Sequence, residues 1–129
     1  MRDLKNNISV VASLLPAART ASANGTSADL NGFGSAVAVV EFGTRTDGTH
    51  TPALEESDDG TTFTAAAASD LLGSFTACSS ASTDEVVQRV GYIGSKRYIR
   101  VAMTVASATS GALSSAVIVL GHPDFAPVA

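Results

Sequence analysis

The sequence predicts an all-β fold: an antiparallel β-sandwich or jelly roll with an extended N-terminal arm and a C-terminal tail. Three observations predict it. The apolar runs are short and rich in β-branched residues. One of them alternates strictly, with Ile99, Val101, Met103 and Val105 interleaved with Tyr98, Arg100, Ala102 and Thr104, so that one apolar and one mixed face result. Glycine and aspartate turn signals separate the runs at close spacing, as in antiparallel sandwiches. A chain of 129 residues holds one domain with one core.

Taken in order, Ile8–Leu15 reads as a strand or a short helical turn. The Ala-, Ser-, Asn- and Gly-rich stretch Ala17–Gly34 reads as a long loop or arm. Residues 1–34 are therefore expected to be an arm plus first strand, 35–122 the β body and 123–129 an extended tail. Ser35–Phe42 (SAVAVVEF) is a buried-strand run stopped by Gly43. Ala53–Ser57 and Thr61–Ala65 face each other across Asp58-Asp59-Gly60, a hairpin signal in which the aspartates suit a type I turn and Gly60 supplies the left-handed position. Ala65–Leu72 carries helix formers, with Ser69 or Asp70 placed to cap a short turn. Val86–Ile93, Arg97–Val105 and Leu113–Leu120 are the remaining strands. Gly94-Ser95 and Gly111 turn the chain between them, and Gly121-His122-Pro123 ends the last.

Composition narrows function. The apolar 45% is largely alanine and valine, aromatics are 5%, and there is no tryptophan. Burial stabilises by roughly 25 cal/mol per Å², so a core of small side chains gives modest stability and gains from further burial against a partner. A net charge of −4 argues against a nucleic-acid partner, which would demand a basic patch. The lone Cys78 forms no internal disulfide and reads as a small buried residue. Arg2 and Lys5, the apolar run Ile8–Leu15 and Ala21-Ser22-Ala23 imitate a secretory signal. Asp3, the interrupting Ser9 and Ser13, Pro16 and Arg19 weigh against it. No stretch approaches the ~20 apolar residues of a spanning helix, and no membrane partner is expected.

No catalytic or metal-binding constellation emerges, so no enzyme and no cofactor are expected. His50 and His122 lie far apart in turn contexts and read as exposed loop residues. Asp47-Gly48 and Asp58-Asp59-Gly60 lack the alternating ligands and closing glutamate of a calcium loop. Ser57–Phe63 is similar to the Asp-box hairpin of sialidase-like propellers, but its glycine and aromatic come one place early and it occurs once. Gly91–Lys96 lacks the spacing of a phosphate loop and leads into a strand. The densest positive group is Lys96, Arg97 and Arg100 with Arg89 on the preceding strand. It reads either as a solvated face that keeps an edge from aggregating or as a docking patch for an acidic protein surface. Arg19 in the arm and Phe125 in the tail are further candidate contacts.

The segments Thr46-Asp47-Gly48-Thr49-His50-Thr51-Pro52, Glu56–Thr64 and Arg89-Val90-Gly91-Tyr92-Ile93-Gly94-Ser95-Lys96-Arg97-Tyr98-Ile99-Arg100-Val101 resemble small virion proteins encoded in the head gene clusters of tailed bacteriophages. Pro16–Ala21 and Gly121-His122-Pro123 fit the same pattern. The resemblance implies a capsid decoration (cement) protein, made in the host cytoplasm and placed on the capsid exterior, where it bridges capsomers. The partners it implies are the major capsid protein and further copies of the chain, as a dimer or trimer. It carries no catalytic residues. A head–tail connector or tail component is the nearest alternative. A carbohydrate-binding sandwich is the next, disfavoured by the scarcity of aromatic platforms.

Overall fold

The computed structural model describes residues 2–128, and every structural statement below concerns these residues. Ten strands and two 3₁₀ turns are present, and no α-helix. The strands are β1 (Ser9–Arg19), β2 (Ala23–Asn24), β3 (Ala28–Asp29), β4 (Phe33–Arg45), β5 (Thr49–Ser57), β6 (Thr64–Ala65), β7 (Leu71–Leu72), β8 (Val87–Tyr92), β9 (Tyr98–Ala106) and β10 (Ala112–Pro123). They form two antiparallel sheets packed face to face, the sandwich that the patterning predicts. The first sheet runs β1-β10-β4-β8-β7. The second runs β2-β9-β5-β6, with β3 also on β9.

Period two builds the core. On β9, Ile99, Val101 and Met103 are buried, and Leu54 on β5 joins them. On the first sheet the rows Val11–Ile118–Ala38–Val90 and Leu120–Ala36–Tyr92 face inward. Phe42, Ile99, Met103 and Ile118 are the largest fully buried apolar side chains, and burial of each contributes about 1.5–3 kcal/mol. Cys78 is buried, as its type predicts, and pairs by its backbone with His50.

Two glycine signals have different meanings from those read in sequence. Gly43 does not stop β4. The register slips there by one residue against β10 (Ala112 opposite Arg45, Ser114 opposite Phe42), so Gly43 marks a bulge inside a longer strand. β10 does not stop before Gly121-His122-Pro123 but takes these in as its last three residues, Gly121 pairing with Ser35 and Pro123 with Phe33. Gly60 does hold the left-handed conformation, φ +78°. The hairpin pairs at Glu56–Thr64 and Glu55–Ala65, so the link between the strands runs over residues 57–63 and not only over Asp58-Asp59-Gly60. Asp59 occupies the widened loop: its Oδ1 accepts from the Thr61 and Thr62 N–H groups, each at 2.9 Å. The 3₁₀ turn Ala68–Asp70 has no side-chain cap.

The N-terminal arm is not free. Arg19 ends a strand paired with β10 over most of its length, and β2 and β3 lie along β9. The reason is a corner built on Ser13. A register slip between Ala12 and Leu14 leaves Ser13 unpaired in the first sheet and turns its hydroxyl onto the second. Ser13 Oγ accepts from the Val101 N–H (3.0 Å) and donates to the Thr26 carbonyl (2.9 Å), while the Thr26 N–H donates back to the Ser13 carbonyl (2.7 Å). Gly25 fits the gap between β2 and β3, donating its N–H to the Val101 carbonyl at 2.8 Å. A Cβ at Gly25 would lie 2.6 Å from that carbonyl oxygen and against Ser13 Oγ. The tail is bent, not extended: the Asp124 N–H donates to Gly32 and the Val128 N–H to Asn6.

Candidate interaction surface

The residues expected to form one basic patch are divided between the two sheets, and most are charge-paired. Arg97, leading into β9, grips Asp29 with two 2.9 Å bonds. Lys96 meets Asp58 at 2.7 Å. Arg100 points outward from the second sheet, pairs with Glu55 at 2.8 Å and lies 4.0 Å from the Phe63 ring centroid. Each of these three cations has its acid beside it, so what they present is a neutral, hydrogen-bonded surface. Arg89 points outward from the other sheet and has no ion-pair partner among the described residues. Arg19 is spent internally: its guanidinium donates to the Ser114 and Leu15 carbonyls, both at 2.7 Å, and spans the second irregularity of β1. Partial burial lowers its pKa. Phe125 stands 88% exposed on the bent tail.

His50 differs from the exposed loop residue expected, whereas His122 is exposed as expected but lies on a strand. His50 is fully buried on β5, with Nε2 3.0 Å from the Asp47 carbonyl and Nδ1 without a partner. His122 is exposed on β10 and meets Ser35 Oγ at 2.8 Å. The two acidic turns serve the backbone. Asp47 accepts from the Gly111 N–H, and also from those of Ser110 and Thr109, which hold its carboxyl below the usual range. Asp59 is lowered further, chiefly by the Thr62 and Thr61 N–H groups and then by Ser57. No group of three or more metal-ligating side chains occurs among the described residues.

A cleft of about 540 Å³ opens at one end of the sandwich, lined by Leu30, Phe33, Ala36, Tyr92, Ile93 and Lys96 among others. Tyr92 offers no stacking platform there. It is buried, donates to Glu56 Oε1 at 3.2 Å and accepts from the Lys96 N–H at 3.1 Å.

The feature that sequence reasoning missed is the outer face of the first sheet. Register places three rows on it: Val10–Val119–Val37–Gly91–Leu72, then Ala12–Val117–Val39–Arg89, then Ser115–Glu41–Val87. Six of the eight large exposed apolar side chains (Val10, Leu15, Leu72, Val87, Ile93 and Leu113) lie on strands of this sheet or their direct continuation. An antiparallel sheet with one solvated face ordinarily puts polar residues there. The signal was present in the near-continuous apolar runs SAVAVVEF and AVIVL, which lack alternation because both of their faces are apolar.

No protein-family model matches the chain, and no curated protein is similar to it in sequence.

Proposed function

We propose that this chain is a structural binding protein whose working state covers the outer face of the first sheet with protein, and that it acts as a decoration protein on the exterior of a tailed-phage capsid, bridging neighbouring capsomers. The observation that carries the reading is the valine face itself. Contiguous apolar surface left open on a folded chain marks an interaction site; here half-buried Val37, Val39, Val117 and Val119 lie between exposed Val10 and Val87, and such side chains lose little entropy when covered. The resemblance of the Thr46–Pro52, Glu56–Thr64 and Arg89–Val101 segments to head-cluster virion proteins supports the placement on a capsid. Repetition over a shell turns modest contacts into stable attachment.

Attachment does not run through a free N-terminal arm, because β1 is an integral strand. Removing the first 22 residues would delete the Ser13 corner along with it. The test is imaging of purified particles together with a Val117→Lys variant. The expected result is wild-type protein on the capsid surface, loss of attachment by the variant, and bare particles that assemble but rupture at lower temperature. Protein found only at the tail or its connector would transfer the reading to the connector alternative. Attachment that survives Val117→Lys would overturn the role of the face.

A further inference from the structure

We infer that the outer face of the first sheet is covered by a second copy of this chain, related by a two-fold axis lying between the two facing first sheets. The inference rests on the reading of that face as a protein contact and names its occupant.

The argument begins with charge. Among the described residues the face carries one unpaired cation, Arg89, and one unpaired carboxylate, Glu41. Arg89 is opposite Val39 and Glu41 opposite Val87, so the two sit diagonally on neighbouring strands. An acidic or basic partner would satisfy one and oppose the other. A second copy turned over satisfies both, since an isologous contact brings residue i to j and j to i.

Sheet geometry then tests the fit. On an idealised flat sheet, strands are about 4.8 Å apart and same-face residues about 6.8 Å apart. The in-plane two-fold that sets Arg89 over Glu41 of the copy crosses the face diagonally. It passes beside Val10, Val117, Val39 and Val87, so these valines meet their own counterparts at the centre. The same rotation, with nothing further adjusted, sets Leu72 on one margin over Leu113 on the other, both of them exposed. One operation thus covers the valines, joins the opposite charges and pairs the marginal leucines. Four strands by four rows give about 500 Å² of flat sheet per copy, or roughly 1,000 Å² for the pair, which is where specific interfaces begin. The contact would resemble the inside of a sandwich, two sheets about 10 Å apart. It leaves both polar second-sheet faces outward, as a bridge between capsomers requires.

The test is sedimentation of the full chain and of two charge variants, Glu41→Arg and Arg89→Glu, with circular dichroism verifying that each retains the β fold. Wild type should dimerise. Each variant alone should be at least about tenfold weaker in self-association, because like charges then face each other across the axis. An equimolar mixture of the two variants should regain dimers, since every cross-axis contact is again of opposite sign. Absence of wild-type dimers at any soluble concentration, or a mixture no more associated than its components, would overturn the assignment. A monomeric wild type whose Val117→Lys variant still loses particle attachment would mean that the face is covered by the shell instead. Attachment indifferent to Val117→Lys would remove the underlying reading as well.

Discussion

On the first sheet the outward rows read Val10, Val119, Val37 and Ala12, Val117, Val39. On the second they read Thr51 opposite Thr104, Ala53 opposite Ala102, and Glu55 opposite Arg100. The inner faces of both sheets are buried and largely apolar, with His50 and Glu56 of β5 among the polar exceptions. The outer face of the second sheet is finished: its charges are paired, Phe63 lies over Arg100, and its threonines face solvent. The outer face of the first has no such finish. The inner faces therefore account for the fold, and the difference between the outer ones is the ground for proposing the first sheet as the contact surface.

Both faces hang on one frame, and the largest expected effect comes from breaking it. Gly25→Ala drives a methyl group into the Val101 carbonyl and the Ser13 hydroxyl at the corner joining the sheets. It should cost about 3 kcal/mol or more, since backbone must move, and chemical denaturation would measure it. An unchanged midpoint would mean that the corner does not hold the sheets together.

The comparison itself is sharpened by placing the same charge on each face. Val117→Lys should weaken self-association by at least about tenfold, as truncation or charging at an interface centre does. Thr51→Lys should leave association unaltered. Equal effects in sedimentation would erase the distinction between the faces. A smaller effect is expected from Arg100→Ala, which strips the second sheet of its half-buried ion pair and its ring contact. About 1 kcal/mol of stability should be lost, with self-association unchanged.

Acid should act mainly on the polar turns, and gently. Asp29, Asp47 and Asp59 are held below their usual range by Arg97, by the Gly111 N–H and by the Thr62 N–H respectively. Their folded pKa values are depressed, so their contribution is full above the ordinary aspartate value of about 3.9 and is lost as pH falls through the folded values. Melting temperature should be flat above about pH 5 and decline below 4. Asp59→Asn should make that decline shallower; an identical acid slope would show that the Asp59 turn contributes nothing to it.

Much of the fold was legible in the sequence because period two is a local signal. β9 and β10 and the left-handed Gly60 follow from residues adjacent in the chain. What was not legible depends on distant partners. Ala17–Gly34 has the composition of a loop, yet Gly25 donates its backbone N–H to β9, beside the Ser13 hydroxyl that accepts from the same strand, both from more than 70 residues away. Gly43 and Gly121 punctuate strands only if no partner continues through them, and β10 and β4 do continue. The basic cluster looked like a patch because Asp29, Glu55 and Asp58, which neutralise it, are remote in sequence. His50 seemed exposed because its turn-like neighbourhood concealed a core position. The valine face was hidden for the opposite reason: an apolar run looks the same whether its second face is covered by its own chain or by another.

Carbene footprinting of the associated protein, read residue by residue against a dilute sample, tests the central claim most directly. The account predicts protection of Val37, Val39, Val117 and Val119, with labelling of Thr49, Thr51 and Ala53 unchanged. Protection of the second-sheet residues with the valines still labelled would contradict it.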